Sequence, residues 1–318
     1  MALFQTKKIQ SFIVFIIVLA TILWVFQDNF LKFLIFQKNI EQSVFSSEKV
    51  KDSVYLEKID NFFLKEYSKE QVLMHTIKAE NYYSYKNSPI ELLEVEVTTY
   101  NPSRQKGLML TSNRAEMFKS GEMLLNGDVK IQTKSGISHE LNTESLKILT
   151  SSGEINSNKK VTYLGETSRI ISEGMEMSID GETMLLKGNV EILEDSGSTI
   201  DTTNLFINHT AGEKIYSSKE KTVYRSKDNI ISSDNGVDIN MSLKLMKLLG
   251  EVEIVNVSGS ILKSSDLIID QSYGGEILKS NSSSHFKSNI VDIKAKKMHY
   301  DAVTKKLELT NRVLAVYE

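Results

Sequence analysis

Three stretches decide the fold: MLLNGDVKI (residues 123–131), MLLKGNVEI (184–192) and MKLLGEVEI (246–254). Each reads M-x-L-x-G-x-V-x-I, and LELTNRVLA (307–315) is a degenerate fourth copy. The central residues Gly127, Gly188, Gly250 and Asn311 lie 61, 62 and 61 residues apart. Self-similarity at a fixed period marks a repeat architecture. Within each copy the apolar residues alternate, so the copies predict strands with one apolar face. Met123, Leu125, Val129 and Ile131 share that face, while Asn126, Asp128 and Lys130 take the other. The glycine on the apolar side marks either a bulge or bend, or a place where a side chain would crowd its neighbours.

A weaker strand pattern fills the space between copies, with Leu146 and Ile148, Leu205 and Ile207, and Leu267 and Ile269, often preceded by Ser or Thr. Related positions at Met117, Met177, Ile239 and Tyr300 complete a half-repeat close to 30 residues, enough for two long strands and their turns. Clusters such as Ser151-Ser152-Gly153, Asp195-Ser196-Gly197 and Ser226-Lys227-Asp228-Asn229 supply turn chemistry between strands. With only 2 Pro and many β-branched residues, the chain beyond residue 50 predicts nearly continuous strand and no helix of consequence. The expected fold is all-β: an elongated jelly-roll or solenoid-like stack of two facing antiparallel sheets. About eight strands per sheet at roughly 4.8 Å each give a body about 40 Å long.

Outside the repeat, residues 9–26 (IQSFIVFIIVLATILWVF) carry no formal charge. As a helix they would reach about 27 Å, close to the hydrocarbon thickness of a bilayer. Lys7 and Lys8 precede the run, which predicts a cytoplasmic N-terminus, and Trp24 falls near the far interface. The run ends in Trp24-Val25-Phe26-Gln27-Asp28 without a small-x-small cleavage site, so it reads as an uncleaved single-pass anchor. The expected layout is a cytoplasmic end (1–8), the anchor (9–26), a juxtamembrane linker (27–54) and an exterior β region (55–318). Composition excludes other classes. There is no Cys, hence no disulfide scaffold and no thiolate metal site. A net charge of −3 disfavours a nucleic-acid partner.

With these strands in place, further motifs carry a resemblance. HTIKAENYY (75–83), Ser88-Pro89, VTTY (97–100), LTSNRAEM (110–117) and two Leu-x-Gly-[Asp/Asn]-Val copies follow one another behind an N-terminal anchor. In that order they resemble the LptC family, the inner-membrane-anchored periplasmic proteins of lipopolysaccharide export, within the wider OstA-like group that includes LptA. The match spans residues 55–193; residues 194–318 look like additional OstA-like repeats continuous with it. The resemblance implies that lipopolysaccharide is received from the LptB, LptF and LptG transporter, LptB being its ATPase, and is passed to LptA or an OstA-like equivalent. It implies no cofactor and no catalysis.

Under that reading the candidate groove lining is Met123, Leu125, Val129, Ile131, Leu146, Ile148, Met184, Leu186, Val190, Ile192, Met246, Leu248, Val252 and Ile254. Acyl chains there would escape water, at roughly 0.8 kcal/mol per buried CH₂. The same residues equally suit a dry core. An unclosed sheet leaves strand edges. Leu307, Leu309, Val313 and Ala315 mark a C-terminal edge able to dock LptA or a relative, and the N-terminal edge near residues 55–63 faces LptF. There is no phosphate-binding loop, no H-E-x-x-H and no G-x-S-x-G. His75, His139, His209, His285 and His299 are scattered and read as ordinary surface or turn residues. Two other classes stay open: a membrane-held β-solenoid polysaccharide enzyme, expected to have mostly parallel strands, and a purely structural or adhesive repeat.

Overall fold

The computed structural model describes residues 55–100, 106–133, 139–149, 152–210, 214–272 and 274–317. Alternation of apolar and polar residues yields strand wherever the sequence predicts it, and among the described residues there is no α-helix. The first half runs β1 (Glu57–Tyr67), β2 (Leu73–Ser84), β3 (Ile90–Tyr100), β4 (Lys106–Met117), β5 (Glu122–Thr133), β6 (Glu140–Leu149), β7 (Glu154–Ser157), β8 (Val161–Leu164), β9 (Ser168–Ser178), β10 (Thr183–Glu194) and β11 (Thr199–Asn208). The second runs β12 (Ile215–Ser218), β13 (Thr222–Arg225), β14 (Asn229–Ser233), β15 (Val237–Asn240), β16 (Leu245–Asn256), β17 (Ile261–Asp270), β18 (Ile277–Ser280), β19 (Ser284–Lys287), β20 (Val291–Ala295), β21 (Lys297–Asp301), β22 (Lys306–Thr310) and β23 (Leu314–Tyr317).

All pairings are antiparallel, but they form one 23-stranded sheet, not two. Eleven strands run unbroken along their length, and six further rungs are split at mid-length into halves such as β7 with β8 and β12 with β13. The result is seventeen rungs, each paired only with the rung before and the rung after it. Every rung kinks at its middle, so the sheet is creased lengthwise. One face holds the β5 segment around Met123 and Leu125, and the other holds the segment around Val129 and Ile131. The expectation of about eight strands per sheet is therefore corrected: each rung serves both faces, and the ladder is about twice as long as expected, near 80 Å along the rungs.

The repeat glycines make the crease. Gly127, Gly188 and Gly250 have φ of 77°, 71° and 78°, and the pairing registers of β5, β10 and β16 skip at these points. A bulge with left-handed backbone turns the strand, which is what glycine permits at low cost. Neighbouring rungs use Asn204 and Asp266 in the same backbone region, and their side chains accept the Gly188 and Gly250 N–H groups at 3.0 and 2.9 Å. Both halves of a rung then present alternate residues to the space between the faces, and a single apolar core runs from Ile77 to Met298.

Inside the crease the side chains are small hydroxyls. Thr143 meets Ser157 at 3.0 Å, Thr202 meets both Ser218 and Thr222 at 3.0 Å, and Ser264 meets Ser284 at 3.1 Å. The hydroxyls also donate to carbonyls near the kink: Ser157 to Ser145 O, Ser218 to Thr203 O and Ser280 to Ser265 O. A kinked ladder leaves backbone groups short of partners, and a buried unpaired group is costly. That explains the Ser or Thr preceding the Leu-x-Ile strands.

Candidate functional site

All fourteen candidate lining residues lie in the interior between the two faces and are buried. Met123 and Leu125 project from one face, and Val129 and Ile131 from the other; β10 and β16 repeat the arrangement with Met184, Leu186, Val190 and Ile192, then Met246, Leu248, Val252 and Ile254. Leu146 and Ile148 of β6 stand beside Leu125 and Met123. In this form the faces are packed together. Between His75, Val97, Leu110, Met123, Ile148 and Ile155 the free space is about 10 Å³, no more than one water needs.

Opposite the crease the faces meet at their turns, and this mouth is laced by polar contacts. Thr99 reaches Ile179 O at 3.5 Å, Tyr163 meets Tyr216 at 3.2 Å, Glu166 pairs with Lys214 at 2.8 Å, and Tyr224 bonds Glu276. Each joins one face to the other across 48 to 80 residues of sequence. His139 and His209, also from opposite faces, stack with ring centroids 4.3 Å apart and planes within 7°. The Tyr163 hydroxyl lies 2.6 Å from His139 Nδ1. The Nε2 atoms of both rings are buried without a hydrogen-bond partner in the protein.

Burial controls the electrostatics of this cluster. It lowers the pKa of His139 to about 4, helped by the neighbouring His209 and Lys214. His209 is lowered for the same leading reason, with Lys214 adding to it. Burial pushes the phenols of Tyr163 and Tyr216 up, so both remain neutral donors. Beside the cluster the mouth opens into a cavity of about 690 Å³. Its floor is apolar (Tyr216, Ile239, Leu245, Met246), and its rim carries Glu194, Asp195 and Glu276. Burial and the nearby Glu276 charge raise the Glu194 carboxyl, against the Ser196 hydroxyl, which lowers it. The volume falls in the range of about 300–1,000 Å³ that holds one small ligand.

The expectation of ordinary surface histidines is corrected. His75 and His139 are buried, and His209 is half-buried in the mouth cluster. Reading from the sequence also missed Tyr163 and Tyr224, the largest fully buried side chains. A Tyr at the third position of a short strand such as VTYL or TVYR was the available signal.

The two expected edges are open among the described residues. β1 pairs only with β2, and its Tyr55–Phe63 region exposes Leu56 and Phe63. β22 and β23 pair only with β21 and β20. The four edge residues divide. Leu307 and Leu309 of β22 are half-buried against the core, whereas Ala315 of β23 and Val313, just before it, are exposed. The anchor (9–26) and linker (27–54) lie outside the described residues.

A lipopolysaccharide-assembly family model, described as LptC-related, matches residues 13–195. The chain belongs to the LptC family. That membership implies a role in lipopolysaccharide transport. No curated protein matches the chain. The LptC match ends in the turn after β10, where the ladder passes into β11 through nine paired residues, so the same creased sheet carries the LptC region and the rungs beyond it. Antiparallel pairing throughout also departs from the parallel ladder expected of a β-solenoid enzyme.

Proposed function

We propose that the chain is the inner-membrane-anchored periplasmic component of the lipopolysaccharide bridge. Residues 9–26 hold it in the membrane with the N-terminus in the cytoplasm. Its creased sheet receives acyl chains from the LptB, LptF and LptG transporter and passes the lipid to LptA or an OstA-like equivalent. The observation that carries this reading is the apolar interior that runs between two faces from Ile77 to Met298 in an LptC-family chain. The packed form is the unloaded one. The glycine bulges let the faces part about the crease, and an acyl chain that enters replaces side-chain contacts with its own. The sugar and phosphates stay in water at the mouth. Met123, Met184 and Met246 suit this, because an unbranched thioether refits around a mobile chain.

A photoreactive residue at Leu186, which points inward, should capture lipopolysaccharide in membranes, whereas one at outward Asn189 should capture at least tenfold less. Equal capture at both, or none at either, overturns the lipid-carrying reading. For the C-terminal edge, Val313→Asp combined with Ala315→Pro should abolish co-purification of the LptA-type partner while leaving the transporter subunits bound. Unchanged recovery of that partner removes the docking role of β23.

A further inference from the structure

The geometry points to a gate: the His139–Tyr163–Tyr216–His209 cluster divides the interior into two apolar compartments, and a hydrocarbon chain passes between them only when the cluster parts. This rests on the lipid-carrying reading above. The register places the barrier. Tyr163 stands between Leu141 on one neighbouring rung and Ile170 on the other, and Tyr216 between Ile207 and Ile239. Leu141 and Ile207 therefore belong to the compartment on the β1 side, while Ile170 and Ile239 belong to the β23 side, where Ile239 floors the cavity.

Elsewhere the inward residues are mostly Leu, Ile, Val and Met, against which a methylene chain can slide. At this cross-section it meets two phenol oxygens 3.2 Å apart and an imidazole nitrogen 2.6 Å from one of them, joined across the faces. A hydrocarbon offers these groups no hydrogen bond, so it cannot lie among them without separating them or leaving them unpaired. The Glu166–Lys214 pair spans the faces just outside, closing the same section toward solvent. The stacked imidazoles are the weak part of the closure, since each holds a buried Nε2 that the closed form does not satisfy.

The chain has no cysteine, so a paired variant can be locked selectively. In the full-length protein, His139→Cys with His209→Cys would be bridged by a short bis(methanethiosulfonate), each thiolate displacing methanesulfinate to form a reductant-cleavable disulfide, then offered palmitate bearing a mid-chain diazirine. Label would be mapped by peptide mass. The bridged protein should label the cavity peptide around Ile239 and Met246 as the reduced protein does, while label around Leu125 and Leu141 falls at least tenfold and returns on reduction. Tyr163→Phe with Tyr216→Phe keeps the ring volume without the oxygens and should raise label around Leu125 and Leu141 several-fold. Equal label on both sides of the bridged protein overturns the gate and leaves lipid carriage standing. No label in either compartment of the reduced protein overturns both.

Discussion

Gly236→Val is expected to lower the unfolding free energy by about 4 kcal/mol, summing a backbone term of about 1–3 and an overpacking term of about 1–3. Gly236 sits between β14 and β15 with φ of 97°, where a branched side chain is disfavoured. A Cβ there would stand 2.0 Å from the carbonyl oxygen of Ser218 and 2.8 Å from the Lys219 Cα. Both obstacles are backbone, and Ser218 is held by its pairing with Val237 and by the hydroxyl bonds to Thr202 and Thr203. Neither can retreat without breaking the crease. Gly197→Ala is the control. Its φ is 87°, but nothing lies within 4 Å of a new Cβ, so only the backbone term of about 1 kcal/mol remains. Urea denaturation of the two variants against the unaltered chain checks the difference. Similar losses for both would mean that the Ser218 contact does not decide the effect.

Lowering the pH from 7 to 4.5 should cost the β region stability through His139. Its folded pKa is about 4, against about 6.5 for an unfolded histidine. Between these values the unfolded chain binds a proton that the folded chain refuses, so folding weakens as the pH falls through this window and recovers as it rises. The full difference is up to about 3 kcal/mol at roughly 1.4 kcal/mol per unit. His209 contributes with the same sign. Glu194 works the other way: its raised carboxyl binds a proton more readily when folded, which adds stability as the pH falls. His139→Phe should flatten the loss between pH 7 and 4.5, measured as the shift in urea midpoint, because the ring stays and the titration goes. An undiminished slope in the variant assigns the acid sensitivity to other groups.

How far the sequence discloses this molecule follows from the range of the interactions. Period-two alternation acts between adjacent residues, so β5, β10 and β16 and their inward Met, Leu, Val and Ile are readable directly. The 61-residue spacing marks the crease, and glycine is favoured there by a left-handed backbone that residues such as Asn204, Asp266 and Asn311 share on other rungs. Two facing sheets instead of one creased sheet was the natural misreading, because a strand that turns through a bulge keeps its alternation on both sides. The mouth cluster was not legible. His139, Tyr163, His209 and Tyr216 come together only because the faces are staggered, so that Tyr163 meets Tyr216 across 53 residues and His139 meets His209 across 70. No local pattern encodes that stagger, and isolated histidines in polar turns look alike whether they face water or one another.

The pairing of each rung with its two neighbours alone has a consequence for how such proteins change in size. Four rungs make one 61-residue period, and four rungs advance the ladder by about 19 Å. Removing or duplicating a whole period restores the same junction, with glycine following glycine at the fold line, so reach can be adjusted in fixed increments. A required span can thus be matched by genetic copying of one module, with no new surface to evolve.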